Sequence, residues 1–277
     1  MQVVKTILEL RGLRQKLSGT VGFVPTMGYL HEGHLALVKR ARTENSAVIV
    51  SIYVNPAQFG AGEDFGAYPR DLNRDLELLQ GEGVDVIFVP SDGEMYPPGF
   101  SSWVHVEKVT ERLEGASRPG HFRGVATVVA KLFNMVAPAK AYFGQKDAQQ
   151  VVVVKRMVAD LNMGIEIVLV PTLRESDGLA IGSRNICLGP EERRAAAILF
   201  KALTLARKLV GSEEKDAGKI RRQMISLIEQ EPLARIDYVS IADAETLAEL
   251  DLIDRPALAS LAVWIGKTRL IDNMPLE

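Results

Sequence analysis

Short apolar runs rich in β-branched residues recur through the first part of the chain, each bounded by Gly or Pro and separated from the next by a longer segment of helical period. The runs fall at 21–24, 47–54, 84–89, 140–143 and 165–170, and the helical segments at 33–43, 71–80, 125–136 and 148–161. Apolar runs without polar alternation predict strands buried on both faces. Strands that alternate with helices predict a parallel sheet with helical crossovers, an α/β architecture. Ligands of such sheets settle beyond the carboxyl ends of the strands, so a site is to be sought in the loops after Val24, Val54, Phe143 and Val170.

Past Pro171 the pattern changes. A loop rich in glycine and charge, TLRESDGLAIGSRN, precedes two polar helices and then strand-like runs at 236–241 and 261–264. With 277 residues, 47% of them hydrophobic, the chain can bury more than one compact core. The expectation is a parallel-sheet domain over 1–171 followed by a smaller α+β domain over 172–277 that covers the site. Lys and Arg number 33 against 35 Asp and Glu, so no excess positive charge draws nucleic acid. A single cysteine, Cys187, cannot form an internal disulfide, which fits the cytoplasm. The N-terminus, MQVVKTILELRGLRQKL, lacks the features of a secretory signal, and no apolar run approaches the roughly 20 residues that span a bilayer. A soluble protein without a membrane partner is expected.

The stretch FVPTMGYLHEGHLALVKRA carries the most chemistry: a strand ends at Val24, a Pro-Thr-Met-Gly turn follows, and a helix begins near Gly33. Gly28 permits close backbone approach to a ligand, and the helix start offers unpaired N–H groups and a positive dipole end to phosphate oxygens. His31 and His34 share one face of the first turn, with Gly33 leaving room for a nucleotide. Imidazole there can donate hydrogen bonds to an α-phosphate that gains charge in a transition state. The plain alternative is two satisfied surface histidines. A zinc site is the weaker reading, because HExxH would place the pair at i and i+4 whereas HEGH places it at i and i+3 without a third ligand. A histidine–x–glycine–histidine after the first strand resembles the nucleotidyltransferase superfamily, which implies a Rossmann-like nucleotide-binding domain and adenylyl transfer from ATP. The acceptor stays open on that motif alone.

After the next strand, Asn55 and Gln58 stand in YVNPAQFGAGEDFGAYPRD, and after a later one Lys146, Asp147 and Gln150 stand in YFGQKDAQQ. Neutral amides can hold the hydroxyls and carboxylate of a substrate without blunting its attack, although each amide alone reads equally well as a loop or cap residue. Lys146 at a helix start is unfavourably placed against the dipole, which a nearby anion would explain.

In the order PTMGYLHEGH, VNPAQF, YPRD, GHFRGVATVV, YFGQKDAQQ, SRN and TRLIDN, the chain resembles the pantothenate synthetase family from about residue 21 to 273. The resemblance implies ATP-dependent joining of (R)-pantoate to β-alanine with release of AMP and pyrophosphate, Mg²⁺ accompanying the nucleotide, and a homodimer of two-domain subunits. It further implies an ATP site formed by Met27, Gly28, Tyr29, Leu30, His31, Glu32, Gly33 and His34, by Gly144, Gln145, Lys146 and Asp147, by Leu173, and by a loop of Ile181, Gly182, Ser183 and Arg184. On the same basis His34 is the proton donor, with His31 and Lys146 beside it as catalytic groups. Gln58 contacts both pantoate and β-alanine, Gln150 and Asn55 contact pantoate, and Asp75 lies near the metal or the amine. Family members usually read Met-Ser-Ser-Arg where this chain has Ile181, Gly182, Ser183 and Arg184, so one hydroxyl is lost and the loop is loosened. The glycine-rich stretches 60–66 and 178–182 are candidate covers over a mixed anhydride that water would hydrolyse. His121 and Arg123 read equally as phosphate contacts or as parts of a surface loop and core helix, and Trp103, His105 and Trp264 read as packing residues in strands. Another adenylyltransferase, without an amine substrate, and a nucleotide-sensing module, without pyrophosphate release, are the competing functions.

Overall fold

The computed structural model describes residues 1–60 and 65–276. Among these, six strands form one parallel sheet: β1 (Gln2–Val4), β2 (Val21–Thr26), β3 (Ala47–Ile52), β4 (Val86–Phe88), β5 (Lys140–Gly144) and β6 (Glu166–Val170). Their spatial order is β1-β4-β3-β2-β5-β6. The expected runs become strands because nothing in them asks for water: β3 is buried at every position. Successive residues of β2 serve opposite faces, Phe23 in a core with α1 (Ile7–Arg14), α6 (His121–Val136) and α7 (Ala148–Asp160), and Val24 in a core with α2 (Glu32–Glu44) and α3 (Leu72–Gly81). Two short helices, α4 (Asp92–Met95) and α5 (Glu114–Ser117), lie between β4 and α6. β1 was not expected; three residues are too few to show a period, and its pairing with β4 makes it an edge strand.

The chain winds outward from β2 through β3 on one side and from β5 to β6 on the other, so the direction of winding reverses between β2 and β5. There the pairing is short. β2 and β3 stay in register through Thr26 and Ile52, and β5 and β6 through Gly144 and Val170, but β2 meets β5 only at Gly22–Lys140 and Phe23–Ala141. Beyond those pairs the strands part, opening a crevice at the carboxyl edge where such sheets bind ligands.

The second part holds α8 (Pro190–Ala195), α9 (Ile198–Gly211) and α10 (Ala217–Ile228), then an antiparallel sheet of β7 (Ala234–Asp243), β8 (Ala257–Ile265) and β9 (Thr268–Leu276). Three helices stand where two were expected. The buried faces of α9 and α10 share a separate core with this sheet. Trp264 lies in β8, but Trp103 and His105 are in no strand: both are exposed in an irregular segment, with Arg123 4.2 Å above the Trp103 ring. No helix of the described residues is long and apolar enough to cross a membrane.

The strand β9 is the seam between the parts. Arg174 donates to both oxygens of buried Asp272 at 2.6 and 3.0 Å. Asn273 donates to the carbonyls of Gln145 and Lys146, each at 2.9 Å, and accepts from the Gln145 side chain. Arg269 donates to both oxygens of buried Glu114 at 2.8 and 2.7 Å, and Tyr238 donates to the same carboxylate. The terminal TRLIDN, without a chemical reading as sequence, thus ties the second part to the loops of the first.

Candidate active site

The turn between β2 and α2 is set by buried acceptors. Thr26 donates to the Ser51 carbonyl and accepts from the Gly28 N–H. Gly28 has φ +80° and Tyr29 φ +50°, and a β-carbon on Gly28 would come within 3.0 Å of Asp75 and Ile52. Asp75, buried in α3, accepts the Tyr29 and Leu30 N–H groups at 2.8 and 2.7 Å, while Arg74 donates to the Leu30 carbonyl. The reading of Asp75 as a group near the metal or amine did not foresee this role in holding the turn. Each of its oxygens accepts one of these N–H groups, and Asp75 is not among the residues that line the cavity.

That turn delivers His31 in extended conformation as the residue capping α2, with His34 in the first helical turn. The two rings stack with centroids 4.0 Å apart. Burial, then the neighbouring His31 and Lys146 charges, lowers the His34 pKa to about 3; burial and then Lys146 lower that of His31 to about 4. Both imidazoles are therefore neutral at pH 7. The His31 N–H donates to His34 Nδ1 at 3.4 Å, which places the His34 proton on Nε2, and buried His31 Nδ1 makes no hydrogen bond among the described residues. A β-carbon on Gly33 would meet His31 ring atoms at 3.0 Å, so this glycine makes room for the histidine itself.

Facing the histidines is the 3-10 turn Pro56–Gln58. Asn55 is fully enclosed by its own bonds: it donates to Gln58 Oε1 and the Gly124 carbonyl and accepts from Ala57 N–H and the Tyr96 hydroxyl. Asn55 lines the cavity yet acts by holding Gln58, whose amide nitrogen lies 2.9 Å from Met27 Sδ. Gly124 is what lets α6 reach this turn, since a β-carbon there would sit 2.1 Å from the Ala57 carbonyl oxygen. His121 bonds the Gln58 carbonyl through Nδ1 at 2.8 Å. GHFRG is thus a mould for Gln58.

The third wall is the turn after β5, with Gly144, Lys146 and Asp147, and Gln150 on the first turn of α7. The fourth comprises Leu173 and the loop 181–184. Gly182 faces Lys146: a β-carbon there would lie 3.1–3.2 Å from the end of that side chain. Ser183 lines the same cavity as Tyr68 of YPRD. The cavity so enclosed is about 250 Å³ and brings together Met27, His31, Gly33, His34, Asn55, Gln58, Gly144, Lys146, Asp147, Gln150, Leu173 and 181–184. Gly28, Tyr29, Leu30, Glu32 and Gln145 do not line it. The first three form the clamped turn, Glu32 is exposed, and Gln145 turns to Asn273. Of the expected covers, residues 61–64 within 60–66 lie outside the described residues. Gly178 has a packing reason, because a β-carbon would strike the Phe200 ring at 1.9 Å.

A model of the family described as pantoate-beta-alanine ligase matches residues 2–275. The chain belongs to that family. It is 58% identical over 277 residues to pantothenate synthetase of Roseiflexus sp. strain RS-1, covering 100% of both chains. Among solved structures, that of pantothenate synthetase from Thermus thermophilus is 51% identical with TM-score 0.94, covering 99% of each chain. The pantoate-beta-alanine ligase of Francisella tularensis, complexed with beta-gamma ATP and beta-alanine, is 35% identical with TM-score 0.81 over 99% of this chain and 97% of that one. Besides the expected residues, the cavity of this family member is lined by Tyr68, Glu114, Arg118, His121 and Arg269. YPRD, GHFRG and TRLIDN pointed at Tyr68, His121 and Arg269 as motifs, but no periodicity or spacing assigned them to the cavity.

Proposed function

We propose that the chain condenses pantoate with β-alanine through a pantoyl adenylate, spending ATP. The observation that carries this is the stacked, neutral His31–His34 pair at the start of α2, in one cavity with Lys146 and the amides of Gln58 and Gln150. A carboxylate oxygen of pantoate attacks the α-phosphorus, the bond to the β-phosphate oxygen breaks, and pyrophosphate leaves. The His34 Nε2–H, His31, Lys146 and Arg184 are donors for the charge that grows on the phosphate oxygens, and they cost no reorganisation because the fold holds them in place. The β-alanine nitrogen then attacks the acyl carbon, the acyl–oxygen bond breaks, AMP leaves and the amine sheds a proton. Gln58 and Gln150 orient pantoate without neutralising it, with Asn55 behind Gln58. Mg²⁺ carried by the nucleotide would supply neutralising charge at its phosphates. One or two carboxylates usually suffice beside those phosphates, and Asp147, in the lining and close enough to bias His31, is the one that would hold the ion.

In this reading residues 1–171 bind ATP and pantoate and 172–277 cover the site, two such chains forming a homodimer. The free, exposed Cys187 supports a reducing compartment, the cytoplasm. The test is to mix the protein with Mg-ATP and pantoate, with and without β-alanine, and to follow pyrophosphate and AMP. Pyrophosphate with pantoate alone, and free AMP only when β-alanine is added, is the expected result. ATP binding with neither product would sink the reading.

A further inference from the structure

We propose that Tyr96, outside the cavity, is a positioning residue that acts through Asn55 to keep the amide nitrogen of Gln58 turned toward the substrate; this rests on the reading of pantoate as the acid that Gln58 holds. An amide can face a ligand with either end, and the two ends ask for opposite partners, because the nitrogen donates and the oxygen accepts. Which end Gln58 shows therefore bears on specificity, and it is set by groups that cannot change sign.

Two of these groups are backbone. The Ala57 N–H can only donate, so the Asn55 atom 3.2 Å from it is the oxygen; the Gly124 carbonyl can only accept, so the Asn55 atom 3.2 Å from it is the nitrogen. That nitrogen also donates to Gln58 Oε1 at 3.1 Å. With its oxygen so engaged, Gln58 turns its own nitrogen the other way, 2.9 Å from Met27 Sδ, an atom that can only accept. Among the described residues no other group takes the second N–H of Gln58, which leaves it for a ligand in the cavity that Gln58 lines.

The Tyr96 hydroxyl closes this chain. It donates to Asn55 Oδ1 at 2.8 Å, the shortest of the four hydrogen bonds that Asn55 makes. Burial pushes its pKa up to about 12, so it keeps the proton that it donates. Tyr96 directly follows α4 and does not line the cavity. The tie also runs the other way, since Tyr53, the residue after β3, donates to Asp92 of α4 at 2.9 Å. Two tyrosine hydroxyls thus brace the turn that carries Gln58 against one short helix. The Tyr96 ring is seated independently of its hydroxyl, edge-on to Phe100 at 5.0 Å and stacked on Trp103 at 6.2 Å. The ring serves packing, and the hydroxyl serves Asn55.

The experiment measures pantoate-dependent pyrophosphate release by Tyr96→Phe, which removes the hydroxyl and keeps the ring. We expect the KM for pantoate to rise about five- to tenfold, the worth of one hydrogen bond, while the KM for ATP stays within about twofold of wild type. In the Gln58→Ala background the same substitution should change kcat/KM for pantoate by less than about twofold, because no amide is left to orient. Phe100→Leu loosens the ring cluster but spares the hydroxyl, so its pantoate KM should stay within about twofold of wild type. An unchanged pantoate KM in Tyr96→Phe overturns the proposal. Equal rises in the KM for pantoate and for ATP, an undiminished effect without Gln58, or a Phe100→Leu variant that matches Tyr96→Phe would each mark a merely structural role and overturn it too. Failure of the underlying reading looks different: wild-type protein would then release no pyrophosphate with pantoate, before any variant is compared.

Discussion

The two sides of the cavity are held by different means. On the side of α2 the turn is clamped from within the parallel sheet by Thr26 and buried Asp75, and its histidines are kept neutral by burial. On the opposite side the segment from Leu173 to Ile186 is anchored by ion pairs to other parts of the chain, Arg174 to Asp272 and Arg193 to Glu175 and Asp177, and exposes Leu173 and Ile186. The first side is fixed before ligand arrives, as a charge-stabilising site needs. The second depends on charges partly open to solvent, so its order is the easier to perturb.

The sharpest way to break this contrast is at Asp272. Its side chain is 1% exposed and that of Arg174 19%, so Asp272→Ala leaves a partly buried guanidinium without its carboxylate. A loss of about 3 kcal/mol in denaturant unfolding is expected, somewhat below a fully buried pair, together with a raised KM for ATP. A stability within 0.5 kcal/mol of wild type, roughly the ordinary surface effect, would show that the seam is held elsewhere. Next comes His34→Ala, which removes a donor while the turn stays clamped. Pyrophosphate formation should fall about 10²- to 10³-fold in a protein that unfolds like wild type; unchanged turnover would remove His34 from the chemistry.

The third prediction concerns pH. Folded pKa values near 4 and 3 lie below the ordinary 6.5 of histidine, so between them the unfolded chain binds protons that the native one does not. Stability is complete above pH 6.5 and is lost as pH falls towards 4 and then 3. For the same reason kcat/KM for ATP should show no acid limb at 6.5. A limb there that vanishes in His34→Ala would mean that the imidazole is not held neutral. The smallest effect is expected on the second side, from Gly182→Ser. Gly182 is extended, φ −159°, so serine is allowed, and its β-carbon asks Lys146 to yield only a few tenths of an ångström. Turnover should stay similar and the KM for ATP should fall by a few-fold at most, the contribution of about one hydrogen bond. A large loss of activity would show that Lys146 has no such freedom.

Much of the first side was legible in the chain. Val21, Phe23 and Val24 mark a buried strand, and the glycine and histidines that follow mark a ligand turn, because the signals of strand, turn and helix start are local. The structural role of Asp75 was not legible, for the opposite reason. An acid in a helix some 45 residues away gives no sign that it accepts two N–H groups of that turn. The second side was legible only as motifs: TRLIDN and GHFRG were noticed without a role, since their work is done on Arg174, Gln145 and Gln58, far along the chain. His105 and Trp103 were placed in strands because their apolar neighbours resemble strand residues, and packing left them exposed.

By itself the sequence determined the α/β alternation, the loop that carries His31 and His34, and the identities of the amides and cations available for chemistry. Periodicity, turn chemistry and residue type act over a few residues and need no partner. The tertiary structure alone decided which of those groups share a cavity. It parted β2 from β5, turned Asn55 and Asp75 inward as supports, kept the histidines neutral by burial, and set Arg118 beside His121. Each of these depends on burial and on contacts between distant segments, which only the folded chain creates.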